Sequence, residues 1–304
     1  MRTAPVLAVL AATLAGCGML PPLTLPTGKD RPSASAGTSS PATSTATPQA
    51  TPSPSPSAGL TIADAKRAAA DWLAKHNRTV RNRAWWDDPA AIDELFWDGT
   101  RHEAVIDRGA VEDGDKRKIR KPIRLTGQVY YVPREQTMPD GQWFLLQATY
   151  AGQDRAHILT FWRPTGGGFR LAAKSPLHYG QRMPEPRRDA EGYVTAMPGV
   201  FGRLVAQEYM VFWDYDIHDQ EGRNGYRLAK DNYSRRAYRI VSKGMYMGYH
   251  SYSRPYGFRT ADGGSFHVFS MLNDPKSITA VLTLGVATRG NGKMIHEIAG
   301  DWYS

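Results

Sequence analysis

The chain has one cysteine and, after its first residues, no long apolar run. Each of these two features excludes certain kinds of site or of membrane attachment. A single cysteine excludes intrachain disulfides, iron–sulfur clusters and cysteine-rich zinc sites. No later segment has the ~20 apolar residues that a membrane-spanning helix needs. The chain also lacks a Gly-rich phosphate loop, a His-Glu-x-x-His motif and a Gly-x-Ser-x-Gly motif. No class of enzyme is therefore indicated.

What the chain does have is aromatic content and positive charge. It has 8 Trp and 15 Tyr in 304 residues, 41% of its residues are hydrophobic, and its formal net charge is +9. Such a composition excludes a chain that is disordered throughout and predicts a packed core.

The first residues have the pattern of an export signal. Met1-Arg2-Thr3 is a short positive start, and the uncharged, mostly apolar stretch from Ala4 to Ala15 is too short to span a bilayer. The stretch ends in Leu14-Ala15-Gly16-Cys17, and residues 1–16 are predicted to be a signal peptide.

These four residues match the lipobox at every position, so the chain resembles bacterial lipoprotein precursors. The resemblance implies that Cys17 is acylated on its sulfur and becomes the first residue after cleavage. The protein would then be anchored by lipid to the outer face of the cytoplasmic membrane. An ordinary secretory signal with an incidental cysteine is the alternative.

Residues 17–58 are predicted to be a disordered stalk behind the anchor. Every residue from Pro32 to Ser57 is Pro, Ser, Thr, Ala, Gly or Gln. A segment without large side chains cannot offset its ordering entropy by burial.

The remaining chain is predicted to be α+β, with helices followed by strands in each of two halves, residues 59–175 and 199–304. Thr61 and Asp64 form a capping box before the first helix, and a second helix is expected over residues 90–96. Strands separated by Gly-rich turns follow up to Ala173, and residues 176–198 are a connector. The second half repeats this order with helices over 200–215 and 228–241, then strands to Trp302.

The Trp-Asp pair at Trp86-Asp87 recurs 127 residues later at Trp213-Asp214, which favours a tandem duplication. Helix followed by a curved antiparallel sheet resembles the NTF2-like and cystatin-like folds. The lipobox, the stalk and the segment FRTADGGSFHVFSML at Phe258–Leu272 together resemble uncharacterised lipoproteins of actinobacteria. That resemblance implies location and shape and no reaction.

One predicted strand carries the candidate ligand-binding residues Tyr246, His250, Tyr252, Arg254 and Tyr256. Flat aromatic rings with an arginine suit sugar rings or an exposed peptide, and Pro255 favours an edge strand. We expect these tyrosine rings to be partly exposed beside Arg254. Tyrosines packed half-buried on a sheet are the alternative.

Three weaker candidates have plainer explanations. The acidic segment from Asp214 to Glu221 departs from a calcium loop, because Asp219 stands where that loop needs Gly. Glu208 lies on an apolar helix face, where it is either a general base or a side chain that turns to water. His76 is expected to be a core histidine.

The basic run Lys116-Arg117-Lys118, continued by Arg120, Lys121 and Arg124, is either a solvated loop or a binding site for anionic headgroups or wall polymers. We therefore expect a non-catalytic binding or scaffold protein of the bacterial envelope. Its expected partners are the membrane, through lipidated Cys17, and an envelope protein or an anionic wall polymer, not nucleic acid. No cofactor or metal is expected. The alternative is an envelope hydrolase or isomerase with a pocket between helix and sheet.

Overall fold

The first helix begins at the cap that the sequence predicts. The structure is a computed structural model that describes residues 59–304 except 83, 137, 215–221, 242–247, 274–279 and 291. The Thr61 hydroxyl accepts a 3.0 Å hydrogen bond from the main-chain N–H of Asp64, and α1 begins directly after it. The predicted N-cap is confirmed.

Five α-helices occur in the described part of the chain. They are α1 (Ile62–Thr79), α2 (Pro89–Leu95), α3 (Asp98–Glu112), α4 (Gly199–Trp213) and α5 (Tyr233–Val241). The predicted start of α5 at residue 228 is wrong, because Leu228 pairs with the last strand. The sequence pattern did not predict α3. Its buried residues are Gly99, Thr100, Glu103, Ala104 and Asp107, so no stripe of large apolar side chains marks the helix.

The first sheet is an antiparallel meander of four strands in chain order. These are β1 (Leu125–Tyr131), β2 (Gly141–Tyr150), β3 (Ala156–Pro164) and β4 (Arg170–Pro176). Register shifts interrupt the β1–β2 ladder between Thr126 and Val129, and the β3–β4 ladder between Thr160 and Phe161. Such bulges bend and twist a sheet, which gives it the predicted curvature.

The second sheet has the order β5-β10-β9-β8-β6, with β7 also paired to β8. Its strands are β5 (Arg227–Leu228), β6 (Ser251–Tyr252), β7 (Tyr256–Arg259), β8 (Ser265–Leu272), β9 (Val281–Thr288) and β10 (Met294–Tyr303). All pairs are antiparallel except β5–β10. The α+β class with antiparallel sheets is confirmed, and β8 lies in the stretch before Trp302 where strands are predicted.

Residues from 59 onward form one compact unit in which three buried clusters separate four layers. One cluster joins α1 and α2 to the outer face of the first sheet, and includes Trp72 and Phe161. Helix α3 adds Ala104 to this cluster and also contacts β8 and β9 of the second sheet. The second lies between the two sheets, where Tyr131 stacks on Phe258 with ring centroids 5.4 Å apart. The third joins the second sheet to α4 and α5. The layer order is therefore helix, sheet, sheet, helix.

Candidate functional site

A cavity of about 360 Å³ opens beside the first sheet, and we call it the basic cavity. Its floor and walls come from α1, α3, β4 and the loop after α3, and β10 of the second sheet closes one side. Five cationic side chains and two carboxylates line it: Arg117, Lys118, Arg120, Lys121, Lys174, Asp107 and Asp301. Aromatic side chains, among them Trp72 and Tyr303, supply the apolar surface. The volume is within the range of small-molecule sites.

Helix α3 directs two acidic side chains toward this region. Glu103 and Asp107 are four residues apart and therefore lie on the same helix face, and both are buried. Buried carboxylates need charged or hydrogen-bonding partners, and each of these has a cation. The polar face of α3 thus faces inward against the basic side chains of its neighbours.

Lys174 of β4 joins two carboxylates from different halves of the chain. Its Nζ lies 2.9 Å from Oε2 of Glu103 and 3.6 Å from Oδ2 of Asp301. Burial by itself would lower the pKa of Lys174, but the two carboxylates raise it above its usual range. Burial raises the pKa of Glu103, and the charge of Lys174 opposes that shift. Lys174 is therefore held as a cation.

Arg120 forms the second ion pair of the cavity. Its Nε donates a 2.8 Å hydrogen bond to Oδ2 of Asp107, whose other oxygen accepts one from the hydroxyl of Tyr303. The guanidinium also lies 4.6 Å from the ring centroid of Phe96. Its buried Nη2 has no hydrogen-bond partner among the described residues. An unmet donor at such a position costs ~1–3 kcal/mol, so an acceptor from outside the chain would stabilise it.

Two histidines in the cavity wall are neutral at physiological pH. Burial lowers the pKa of His76 to about 4, although a contact with Asn77 opposes the shift. Burial likewise lowers the pKa of His157 to about 4. His76 stacks on Trp72 with centroids 5.1 Å apart, in keeping with the expected core histidine. Neither ring adds positive charge at neutral pH.

The basic run of the sequence divides into an exposed and a buried part. Lys116–Lys118 forms one turn of 3-10 helix, where Arg117 is exposed and pairs with Asp115 at 2.8 Å. Arg120, by contrast, points into the cavity. Sequence reasoning found the run but missed Glu103, Asp107 and Lys174. The available signal was the spacing of Glu103 and Asp107 on one helical face.

The predicted tyrosine strand is interrupted, and one of its rings is buried. Residues 253–255 lie outside both β6 and β7, because Pro255 has no N–H to donate to a ladder. Tyr256 is fully buried and donates a hydrogen bond to Asp98. The expectation of a partly exposed ring at Tyr256 is therefore wrong.

The other predicted ligand residues are not gathered on one open face. Arg254 makes two hydrogen bonds to Asp140, of 2.7 and 3.1 Å, and its guanidinium covers the ring of Trp162. Tyr252 is half-buried against the core beside α4, and His250 is exposed. Tyr246 and Cys17 lie outside the described residues.

Glu208 does not turn to water as its plainer explanation supposed. It is fully buried on α4 and accepts hydrogen bonds from the main-chain N–H groups of Gly222 and Asn224. Most of the acidic segment after Asp214 lies outside the described residues. In the part of the chain that the structure describes, no group of three His, Cys, Asp or Glu side chains is arranged to hold a metal ion.

Residues 60–209 match the family model described as a domain of unknown function (DUF8094). The match covers the first sheet, the connector and most of α4, and the family description names no activity. No curated protein matches the chain, and no solved structure matches it. None of the described helices is both long enough and apolar enough to cross a membrane.

Proposed function

We propose that this protein is a lipid-anchored binding protein on the outer face of a bacterial cytoplasmic membrane, and that the basic cavity is its ligand site. The lipobox ending at Cys17 and the Ser/Thr/Pro-rich stalk support the location. The resemblance to actinobacterial lipoproteins supports it too. The single observation that carries the ligand site is the buried Nη2 of Arg120, which has no acceptor within the described structure.

The charges of the cavity favour an anionic ligand. Asp107 is already held by Arg120 and Tyr303, and Asp301 lies beside Lys174. Lys121 is exposed at the rim and Arg117 is nearly fully exposed, so an incoming group meets cations first. Phosphate and carboxylate groups match guanidinium and ammonium donors. A polymer of the cell wall that carries such groups is the proposed partner.

Binding without catalysis agrees with the protonation of the cavity. A general acid or base works best with a pKa near the operating pH. Burial raises the pKa of Tyr303 above its usual range and lowers the pKa of His76 and His157 to about 4, so these groups move away from neutrality. An envelope hydrolase or isomerase that used acid–base catalysis in this cavity would need a group with a pKa near neutrality that reaches its ligand. Glu103 has the raised pKa, but it is fully buried behind Lys174.

The test is calorimetric titration of the full-length protein in detergent with poly(glycerol phosphate), polygalacturonate and the neutral polymer poly(ethylene glycol). Lys121→Gln removes a rim charge, and Lys66→Gln makes the same change on the exposed side of α1. We expect the two polyanions to bind, and Lys121→Gln to weaken binding roughly fivefold at low salt while Lys66→Gln does not. Equal binding of poly(ethylene glycol), or equal effects of the two substitutions, would refute the proposed site.

A further inference from the structure

A second cavity, of about 470 Å³, lies beside the segment that follows β4, and we call it the tyrosine cavity. Its lining differs in character from that of the basic cavity, because planar polar and aromatic side chains dominate. The ones that carry the argument are Tyr131, Gln147, Asp154, Arg155, Tyr179 and Arg182. With two guanidinium groups and one carboxylate, its wall has little net charge.

Tyr179 presents its ring to solvent at the edge of this cavity. The residue is 70% exposed, which is the largest fraction among the exposed large hydrophobic side chains of the described residues. The guanidinium of Arg155 lies 4.9 Å from the ring centroid. An exposed tyrosine ring next to a polar cavity offers a flat apolar surface that can be covered by a ligand.

The turn that carries Tyr179 is fixed on both sides of the ring. The main-chain N–H of His178 donates a 2.8 Å hydrogen bond to the carbonyl of Ile298, and Gln181 closes the turn onto the carbonyl of His178. Gly180 has φ of +77°, a conformation that suits glycine. A ring on a fixed turn loses little conformational entropy when a ligand covers it.

The side chain of His178 strengthens this support from beneath. Its Nε2 lies 3.0 Å from Oε1 of buried Glu297, and its ring stacks on Tyr233 with centroids 3.6 Å apart. The second oxygen of Glu297 accepts hydrogen bonds from the N–H and the hydroxyl of Ser234. The residue that precedes Tyr179 is therefore held in place by a buried polar network.

The lining of the tyrosine cavity also holds polar groups that can hydrogen-bond to hydroxyls. The phenol of Tyr131 donates a 3.0 Å hydrogen bond to the side-chain oxygen of Gln147, which leaves the amide N–H groups of Gln147 as donors. Asp154 contributes acceptors and Arg182 contributes donors to the lining of the same cavity. Planar amide, carboxylate and guanidinium groups can each contact two neighbouring hydroxyls, while an aromatic ring covers the C–H face of a sugar.

From this combination we infer that the tyrosine cavity binds a pyranose ring of a neutral saccharide, with Tyr179 as the stacking platform. The inference does not rest on the basic cavity, because the two sites have different linings and different ligand chemistry. The chemical class is a hydroxyl-rich ring without a charged group, such as a residue of a glucan or an N-acetylated glycan.

The test is titration of the full-length protein, in a detergent without a sugar headgroup, with neutral oligosaccharides of glucose, mannose and N-acetylglucosamine. Tyr179→Phe keeps the ring and should bind within about twofold of the wild type. Tyr179→Ala should bind about tenfold more weakly, which corresponds to ~1.4 kcal/mol. Phe201→Ala, which removes a 37%-exposed ring from α4, is the matched control and should leave binding unchanged.

Tyr179→Ala should also melt at the wild-type temperature, because an exposed ring contributes little to the core. If no oligosaccharide binds at millimolar concentration, or if Tyr179→Ala binds as tightly as the wild type, the inference is overturned. Binding of poly(glycerol phosphate) should be the same in the wild type and in Tyr179→Ala, so failure of one site is distinguishable from failure of the other.

Discussion

The phenol of Tyr256 donates a 2.7 Å hydrogen bond to Oδ2 of Asp98, so a strand of the second sheet is bonded to the first residue of α3. Asp98 has φ of +43°, which is uncommon for a residue other than glycine. Burial raises the pKa of Asp98 to about 6, although the hydrogen bond from Tyr256 and the charge of Arg254 oppose the shift. Ionisation of the Asp98 carboxyl group therefore destabilises the folded state.

We predict that Asp98→Asn is more stable than the wild type at neutral pH. The raised pKa means that the folded protein keeps a proton which the unfolded chain releases between about pH 4 and about pH 6. The unfolding free energy of the wild type therefore falls by up to ~3 kcal/mol as the pH rises through this window. The variant shows no such fall, because asparagine cannot ionise. Asparagine also tolerates the left-handed backbone and can accept from Tyr256.

Chemical denaturation of both proteins from about pH 4 to about pH 8 checks this. The difference between them should vanish at the acid end of the range. Buried His76, His157 and His267, whose pKa values burial lowers to about 4, change both proteins alike and cancel in the difference. A difference that is constant with pH would contradict the prediction.

The ion pair between Glu103 and Lys174 predicts a strongly non-additive pair of substitutions. Lys174→Met leaves the fully buried Glu103 without its cation, which should cost ~3–5 kcal/mol of unfolding free energy. The double variant Glu103→Gln/Lys174→Met removes both charges and should recover most of that loss. Urea denaturation of the single and double variants measures the coupling. Additive losses would mean that the pair contributes nothing beyond packing.

Close approach of α3 to β8 makes Gly99 sensitive to a single methyl group. A Cβ at Gly99 would lie 2.0 Å from Oγ of Ser270 and 2.5 Å from its Cβ. We expect Gly99→Ala to cost ~1–3 kcal/mol, and the added change Ser270→Gly to recover part of it by making room.

Gly109→Ala is the matched control on the same helix, because a Cβ there meets nothing within 4 Å. It should stabilise the protein by ~0.5–1 kcal/mol through helix propensity. Thermal melts of the three variants and the wild type measure these changes, and equal effects at both glycines would argue against tight packing of α3 on β8.

The proposed lipid anchor at Cys17 predicts that replacing this residue changes both acylation and membrane association. In Cys17→Ala, labelled fatty acid should no longer be incorporated and the protein should leave the washed membrane fraction, because no other anchor is predicted. The measurement is metabolic labelling in a bacterial host followed by membrane fractionation. Label that persists in the variant would show that the lipobox assignment is mistaken.

Elements with strong local signals and the basic run of the first candidate site could be predicted from the sequence. The buried partners of that run and the tyrosine cavity could not. The Thr61 cap and strand β8 follow from short-range chemistry, since a cap needs a hydroxyl and a strand needs apolar β-formers. Helix α3 was missed because its inward face is built from Gly99, Glu103 and Asp107 rather than from large apolar residues. The same polarity that hid the helix makes it part of the basic cavity.

The exposure of Tyr256 was predicted wrongly for the opposite reason. The sequence around Tyr256 is typical of an exposed tyrosine, but its hydrogen-bond partner Asp98 is 158 residues away along the chain. Contacts of that kind are set by the packing of α3 beside the second sheet, which alternation along a single strand does not report. Tyr179 was overlooked because it lies in a proline-marked connector, where no periodic pattern exists.

The last strand, β10, makes the basic cavity depend on both halves of the chain. Asp301 and Tyr303 of β10 complete a cavity whose other charged groups, such as Arg120, precede the end of the family match at residue 209. A fragment limited to the matched residues 60–209 would keep the cationic loop but would lack Tyr303, whose phenol donates a hydrogen bond to Asp107. The shortest fragment that carries the whole basic cavity therefore runs from α1 through β10.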